Sequence, residues 1–236
     1  MLIVKLYKEV NCPYCRSIKV VKNGIKRSGM QNLLCQECSK QFQYEYIYRA
    51  CHPNCRELIL KMLLRGSGIR DCAAVTGVSK ESVLRLIIRQ GLQVELKPKY
   101  NHYDKVQIDE QWSYVSKKKK KVWMIYAYSA TDGEILAFAM GKRNWKTVQY
   151  LILKLKGLDI DFFLTDKWKA FKTVLPYEKH LIGKQFTKAI EGVNTWFRTR
   201  LRRLVRRTTC FSKKLLYHHA IIKLAIFKRN QRASYI

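Results

Sequence analysis

From residue 105 onward the chain switches between two hydrophobic periods. Val106-Gln107-Ile108-Asp109-Glu110-Gln111-Trp112-Ser113-Tyr114-Val115 alternates apolar and polar positions, the pattern of a half-buried strand. Val122–Tyr128 is an apolar run that predicts a buried second strand, Thr131-Asp132-Gly133-Glu134 a hairpin turn, and Ile135–Met140 a third strand. Over Lys146–Leu155 the period lengthens to that of a helix, through Val148, Leu151, Ile152 and Leu155. Ile160–Leu164 then reads as a parallel-type strand ended by Thr165-Asp166, followed by a helix over Trp168–Val174 and a strand over His180–Ile182. A long helix starts near Thr187 with the inner stripe Ile190, Val193, Phe197, Leu201 and Leu204, and Leu215–Ile226 returns to an apolar helical pattern. Three antiparallel strands followed by alternating helices and strands predict a mixed α/β layer fold.

The first hundred residues have a different texture. Residues 56–91 predict a helix-turn-helix: Glu57–Leu64, a stop at Gly66-Ser67-Gly68, Ile69–Thr76, a turn at Gly77, and a helix Lys80–Gln90 capped by Ser79. Val83, Leu86 and Ile87 form the inner face of that last helix, while Lys80, Ser82, Arg85 and Arg89 are candidates to contact DNA in a major groove. Ahead of it lie Cys12-Pro13-Tyr14-Cys15 and Cys35-Gln36-Glu37-Cys38. Two such pairs predict four thiolates around one structural Zn2+, with a hairpin between them turning at Asn23-Gly24. Phe42, Tyr44, Tyr46 and Tyr48 alternate as an aromatic strand. Cys51 and Cys55 have no matching pair nearby, and Cys72 and Cys210 sit in separate apolar patterns, so these read as unligated cysteines. The expected division is a zinc ribbon over 1–50, a helix-turn-helix over 51–92, a linker over 93–104 and a catalytic half over 105–236.

Charge adds a partner. There are 47 Lys and Arg against 17 acids, a formal net charge of +30, which favours a polyanion such as nucleic acid. No apolar run approaches membrane length and the opening MLIVKLYKEV is too short for a signal sequence, so the expected setting is the cytoplasm, at the nucleoid. Arg198, Arg202 and Arg206 belong to a stretch, Trp196–Lys214, with eight basic residues and no acid; they are the second set of DNA-contact candidates.

With acids so scarce, their placement is informative. Asp132, Glu134, Asp159 and Asp161 fall in turns or at a strand opening and read as solvated. Asp109 lies inside a strand, Asp166 leaves the most apolar strand, and Glu191 flanks the inner stripe of the long helix, in line with Thr195, Arg198 and Arg202. Shared carboxylates can hold two divalent ions that activate a hydroxyl and steady the leaving oxygen at phosphorus, and an oxygen-only set suits Mg2+ or Mn2+. Alternation turns Glu110 away from Asp109.

Ile108-Asp109-Glu110-Gln111-Trp112, Leu164-Thr165-Asp166-Lys167-Trp168, Ile190-Glu191 with Asn194, Phe211-Ser212-Lys213 and His218 together resemble the transposases of the insertion sequence 1 family. The resemblance includes the ribbon and helix-turn-helix and covers nearly the whole chain. It implies a ribonuclease-H-like catalytic domain, an Asp-Asp-Glu triad mapped onto Asp109, Asp166 and Glu191, magnesium, and DNA strand cleavage and transfer at the ends of a mobile element. Where the family has an arginine after the helix glutamate, this chain has Gly192. The expected partners are double-stranded DNA, at element ends and target, and further copies of the chain on that DNA, with no membrane. Two readings compete: a zinc-ribbon and helix-turn-helix regulator whose second half only dimerises, and a metal-dependent nuclease without strand transfer.

Overall fold

Two sheets organise the computed structural model, which describes residues 9–43 and 48–232. The smaller is antiparallel, β1 (Val20–Ile25), β2 (Gln31–Cys35) and β3 (Gln41–Gln43) in that order. The expected turn at Asn23-Gly24 is instead a bulge inside β1: the register with β2 shifts between Lys22 and Ile25, and Gly24 adopts φ +71°. Gln31 and Asn32 side-chain amides donate to the Gly24 and Asn23 carbonyls at 2.9 and 3.0 Å, supplying bonds that the interrupted ladder cannot. The chain reverses five residues later, where Gly29 takes φ +78° and Lys26 N–H donates to the Met30 carbonyl. Tyr44 and Tyr46 of the expected aromatic strand lie outside the described residues, and Tyr48 is exposed.

Three helices follow: α1 (Pro53–Leu63), α2 (Ile69–Thr76) and α3 (Lys80–Gln93). α1 begins four residues earlier than the apolar pattern indicates, because Pro53 suits a first helical turn, where its missing N–H is not needed. Asp71 Oδ2 accepts the Gly68 N–H at 2.8 Å at the start of α2, and Gly77 ends it in a left-handed conformation. Ser79 Oγ accepts the Ser82 N–H at 3.2 Å and caps α3.

The larger sheet has the order β6-β5-β4-β7-β8. β4 (His102–Tyr114), β5 (Lys121–Ser129) and β6 (Glu134–Gly141) are antiparallel neighbours, while β7 (Asp159–Thr165) and β8 (His180–Ile182) continue parallel to β4. β4 starts four residues before Val106, since Tyr103 is buried and His102 already pairs with Asp159. This is the mixed α/β layer expected from the pattern of elements.

Alternation along β4 assigns its two faces. Val106 and Ile108 join Ile125, Val148, Leu151 and Phe171 in a core under α4 (Trp145–Leu155) and α5 (Lys169–Val174). On the other face, Tyr126 packs with Phe197 of α6 (Lys188–Arg200) and Ile221 of α7 (Leu215–Arg232). Ile59, Val83 and Ile87 of the helical region belong to that same buried cluster. α3 and α7 approach so closely that a Cβ at Gly91 would stand 2.7 Å from that of Ala220. The long helix expected from Thr187 onward is shorter: Leu201 leaves helical geometry and Arg202–Leu204 form a 3-10 turn. Leu201, Arg203 and Leu204 are all buried at that break. No helix among the described residues is long and apolar enough to cross a membrane.

Candidate active site

The register of β4 and β7 sets the level of the first two acids. Paired residues differ by a constant 57, from His102 with Asp159 to Gln107 with Leu164. Two residues further on, the same offset aligns Asp109 with Asp166, the residue that follows β7. Both acids therefore stand level with each other, where β7 ends beside the middle of β4. Asp109 is half-buried; its Oδ1 accepts the Glu110 N–H and its Oδ2 the Asn194 side-chain amide, both at 2.7 Å. Asp166 Oδ1 accepts the Trp168 N–H at 2.9 Å.

Glu191 arrives with α6, and three polar side chains on one face of the sheet dock that helix. Gln107 Oε1 accepts the Ile190 N–H at 2.8 Å, an unpaired donor of the first helical turn. Tyr126, directly across from Asp109 on β5, places its hydroxyl 3.1 Å from the Ile190 carbonyl and 3.0 Å from Asn194 Oδ1. Asn194 thus accepts from Tyr126 and donates to Asp109, so the same amide ties helix, sheet and acid together. Glu191 itself is exposed, in the first turn.

Burial raises the pKa of Asp109 above the usual carboxylate range, opposed by the Glu110 and Asn194 hydrogen bonds and reinforced by the charges of Asp166 and Glu191. A cation there would offset both the lost hydration and the mutual repulsion. The donor set is all oxygen, so the residues present fit a hard divalent ion. The three acids do not close on a common point. Among the described residues, two groups bring three or more ligand atoms within 4.8 Å of one another: the four cysteines, and His102 with Asp104 and Asp161. The histidine group sits at the opposite, amino end of β4 and β7.

Cys12, Cys15, Cys35 and Cys38 form a cluster able to hold a tetrahedral metal. Cys12 Sγ lies 3.6 Å from Cys38 Sγ, and Cys15 Sγ 3.5 Å from Cys35 Sγ. Burial resists ionisation of Cys12, but N–H groups of Cys15 and Tyr14 outweigh it and hold its pKa down at about 7. Such backbone donors favour the thiolate, the form a metal binds.

Other residues singled out in the sequence fall into place, two of them against expectation, Glu134 and Arg203. Glu134 is buried rather than solvated: Tyr103 donates to its Oε2 at 3.0 Å and the Lys99 N–H at 3.3 Å, and burial raises its pKa. His218 is a core residue, its ring between Ser113 Oγ at 2.9 Å and Ser212 Oγ at 3.1 Å, and burial with the charges of Arg203 and His219 pushes its pKa down to about 3. Arg203, from the basic run, is buried and donates to Ser212 Oγ at 3.0 Å. Glu110 points to the face opposite Asp109 and pairs with Arg143 at 2.6 Å. A Cβ at Gly192 would meet nothing within 4 Å, so packing does not demand glycine there.

Among the DNA-contact candidates, Lys80, Arg85 and Arg89 are exposed on α3 while Ser82 is half-buried and bonded to Ser79 Oγ. Arg198 lies in the last turn of α6, and Arg202 is exposed on the 3-10 turn, off the helical stripe of Glu191. Arg206 is exposed and stacks over Trp112, 5.5 Å from its ring centre. Sequence reasoning missed Gln107 and Tyr126 as docking groups. The available signal was Gln107 on the same strand face as Asp109, two residues earlier.

A family model described as IS1 transposase matches residues 105–231. The iso-IS1n protein InsB of Shigella dysenteriae is 38% identical over 122 residues, which are 52% of this chain and 93% of that protein. The IS1 protein InsB of Shigella sonnei is 34% identical over 116 residues, 49% of this chain and 88% of that one. A simian T-cell lymphotropic virus intasome structure, in complex with PP2A regulatory subunit B56 gamma, aligns with 73% of this chain and 65% of its own at 10% identity. The TM-score of that alignment is 0.36. The family match spans the whole segment that carries the three acids, and the chain belongs to the IS1 transposase family.

Proposed function

We propose that the chain is a transposase that cleaves DNA strands at the ends of an insertion sequence and transfers them to target DNA, through Mg2+ or Mn2+ held by Asp109, Asp166 and Glu191. The observation that carries this reading is the shared level of Asp109 on β4 and Asp166 at the exit of β7, with α6, which brings Glu191, docked beside them through Gln107 and Asn194. A regulator whose second half only dimerised would have no use for a half-buried carboxylate fixed by two donors. We read the five-stranded sheet as a ribonuclease-H-like core, preceded by a zinc ribbon and a DNA-reading helix-turn-helix.

Bound divalent ions would supply Lewis-acid activation of the attacking hydroxyl and of the leaving oxygen. The chain's own residues orient that chemistry. Asn194 and the Glu110 N–H fix the Asp109 carboxylate, the Trp168 N–H fixes that of Asp166, and Gln107 fixes the start of the helix that carries Glu191. Lys80, Ser82, Arg85 and Arg89 would meet DNA from α3, while Arg198, Arg202 and Arg206 would meet phosphates near the acids; such contacts make binding steeply salt-dependent. Four cysteines would hold one structural Zn2+. The chain would act as several copies on double-stranded DNA, in the cytoplasm at the nucleoid.

The test is incubation of the full chain and labelled element-end DNA with Mg2+. Nicking and joining of new 3′ ends to target DNA are expected. Asp109→Asn, Asp166→Asn and Glu191→Gln should each lower cleavage by on the order of a thousandfold or more while duplex binding persists. Binding without nicking would remove the enzyme reading; cleavage without joining would favour a nuclease.

A further inference from the structure

Glu110 is next to Asp109 in sequence yet serves the opposite face of β4. Its side chain is only 6% exposed, its Oε1 accepts from Arg143 Nη2 at 2.6 Å and from Nε at 3.0 Å, and its Oε2 is buried without a hydrogen-bond partner. A single ion pair, made through two N–H groups, therefore holds this carboxylate.

Arg143 in turn lies over two indoles. Its guanidinium carbon lies 5.0 Å from the Trp123 ring centre and 4.6 Å from that of Trp168. The loop that presents it is rigid: Asn144 caps α4 by accepting the Thr147 N–H at 3.2 Å, and Thr147 Oγ1 donates to the Lys142 carbonyl at 2.7 Å. Gly141 leaves no spare room, since a Cβ there would stand 2.6 Å from Thr147 Oγ1. Trp168 also packs edge-on against Phe171, at 5.0 Å between ring centres. The backbone N–H of this immobilised tryptophan donates to Asp166 Oδ1 at 2.9 Å.

Residue 110 therefore reaches both aspartates. Its backbone N–H donates to Asp109 Oδ1 at 2.7 Å, and its side chain reaches Asp166 through Arg143 and Trp168. We propose that Glu110, Arg143 and Trp168 are positioning residues that fix Asp166 relative to Asp109, leaving Asp166 Oδ2 free for a divalent cation. This rests on the reading of Asp109, Asp166 and Glu191 as the metal-binding triad. An isolated β7–α5 turn could rotate the Asp166 carboxylate; the clamp removes that freedom before any ion arrives.

The full zinc-loaded chain should be titrated with Mn2+, with free ion followed by electron paramagnetic resonance, beside a duplex-binding assay. Arg143→Ala and Glu110→Gln are each expected to weaken Mn2+ binding by about tenfold, the scale of lost support behind a metal ligand. Duplex affinity should stay within about twofold, and the double variant should be no worse than either single change, because both break one chain of contacts. Trp168→Phe should retain most of the affinity that Trp168→Ala loses. Arg143→Lys should not rescue, since an ammonium cannot stack over two rings and bond Glu110 through two N–H groups. Unchanged Mn2+ affinity in Arg143→Ala would overturn the proposal. So would tighter duplex binding in Glu110→Gln, which would make Arg143 a phosphate contact that Glu110 restrains. If Asp166→Asn also binds Mn2+ like the parent chain, the triad reading itself is wrong, and the clamp fails with it.

Discussion

The cysteine cluster and the carboxylate group solve opposite problems. The four sulfurs come from one short segment, residues 12–38, and already stand in contact, with Cys12, Leu33, Cys35 and Phe42 the buried hydrophobic core around them among the described residues. The acids come from three elements, separated by 166 − 109 = 57 and 191 − 166 = 25 residues, inside a large core, and they stay apart. A structural metal must replace a missing core, so its ligands close around it. A group meant to receive a substrate has to keep positions open, and its order must come from the elements behind it. In this molecule that order comes from Gln107, Tyr126 and Asn194.

The comparison breaks first at the cysteines. Removing the proposed zinc by chelation, or Cys35→Ser, should unfold residues 9–43, because metal binding in small zinc modules supplies about 10–16 kcal/mol. Hydrogen exchange should then show β1 and β2 unprotected while β4 and α7 remain protected. Protection of β1 and β2 in the metal-free chain would show that the ribbon needs no metal to fold.

A smaller effect is expected behind the acids. Asn194→Ala removes a hydrogen bond to a half-buried carboxylate and leaves Tyr126 with a single acceptor, so unfolding free energy should fall by about 2 kcal/mol. Zinc content should be unaffected. If denaturant titration finds no loss, Asp109 is not held from α6.

The buried Ser113–His218–Ser212–Arg203 network is closed by hydrogen bonds without a metal, and pH probes it. His218 has its pKa depressed to about 3 in the fold, so the unfolded chain binds the extra proton first. Stability should be full above the unfolded value of about 6.5 and fall as pH drops toward the folded one, by about 2 kcal/mol between pH 7 and 5. His218→Gln should flatten that slope in denaturant titrations; an unchanged slope would assign it to other groups. The smallest effect is at the start of α6, where exposed Gly192→Ala should raise the melting temperature slightly, by about 0.5–1 kcal/mol of stability.

Much of this was legible because period and chemistry coincide. The alternation from Val106 to Val115 predicts both the strand and the opposite orientations of Asp109 and Glu110, and the paired cysteine spacing predicts their cluster. What was hidden depended on contacts between distant residues. Nothing local says that Glu134 will be covered by Tyr103, or that Leu201 will break a good helical stripe so that Arg203 can reach Ser212. Asn23-Gly24 misled because a positive-φ glycine serves a bulge as well as a turn. The partners of Asp109 were partly visible: Asn194 was named by the family pattern, but its bond to the acid needed the packed helix.

The pairing of β4 with β7 also limits how this gene can change in length. A strand that shows alternate residues to opposite faces behaves like a reading frame. Deleting one residue between Tyr103 and Asp109 would carry Glu110 into the place that meets Asn194, and every buried neighbour downstream would change sides. A two-residue change would keep the faces but move the acid about 7 Å along the strand, out of level with Asp166. Viable insertions and deletions should therefore collect in connections such as the exposed Lys117–Lys120 turn, and β4 should keep its length wherever the acids keep their work.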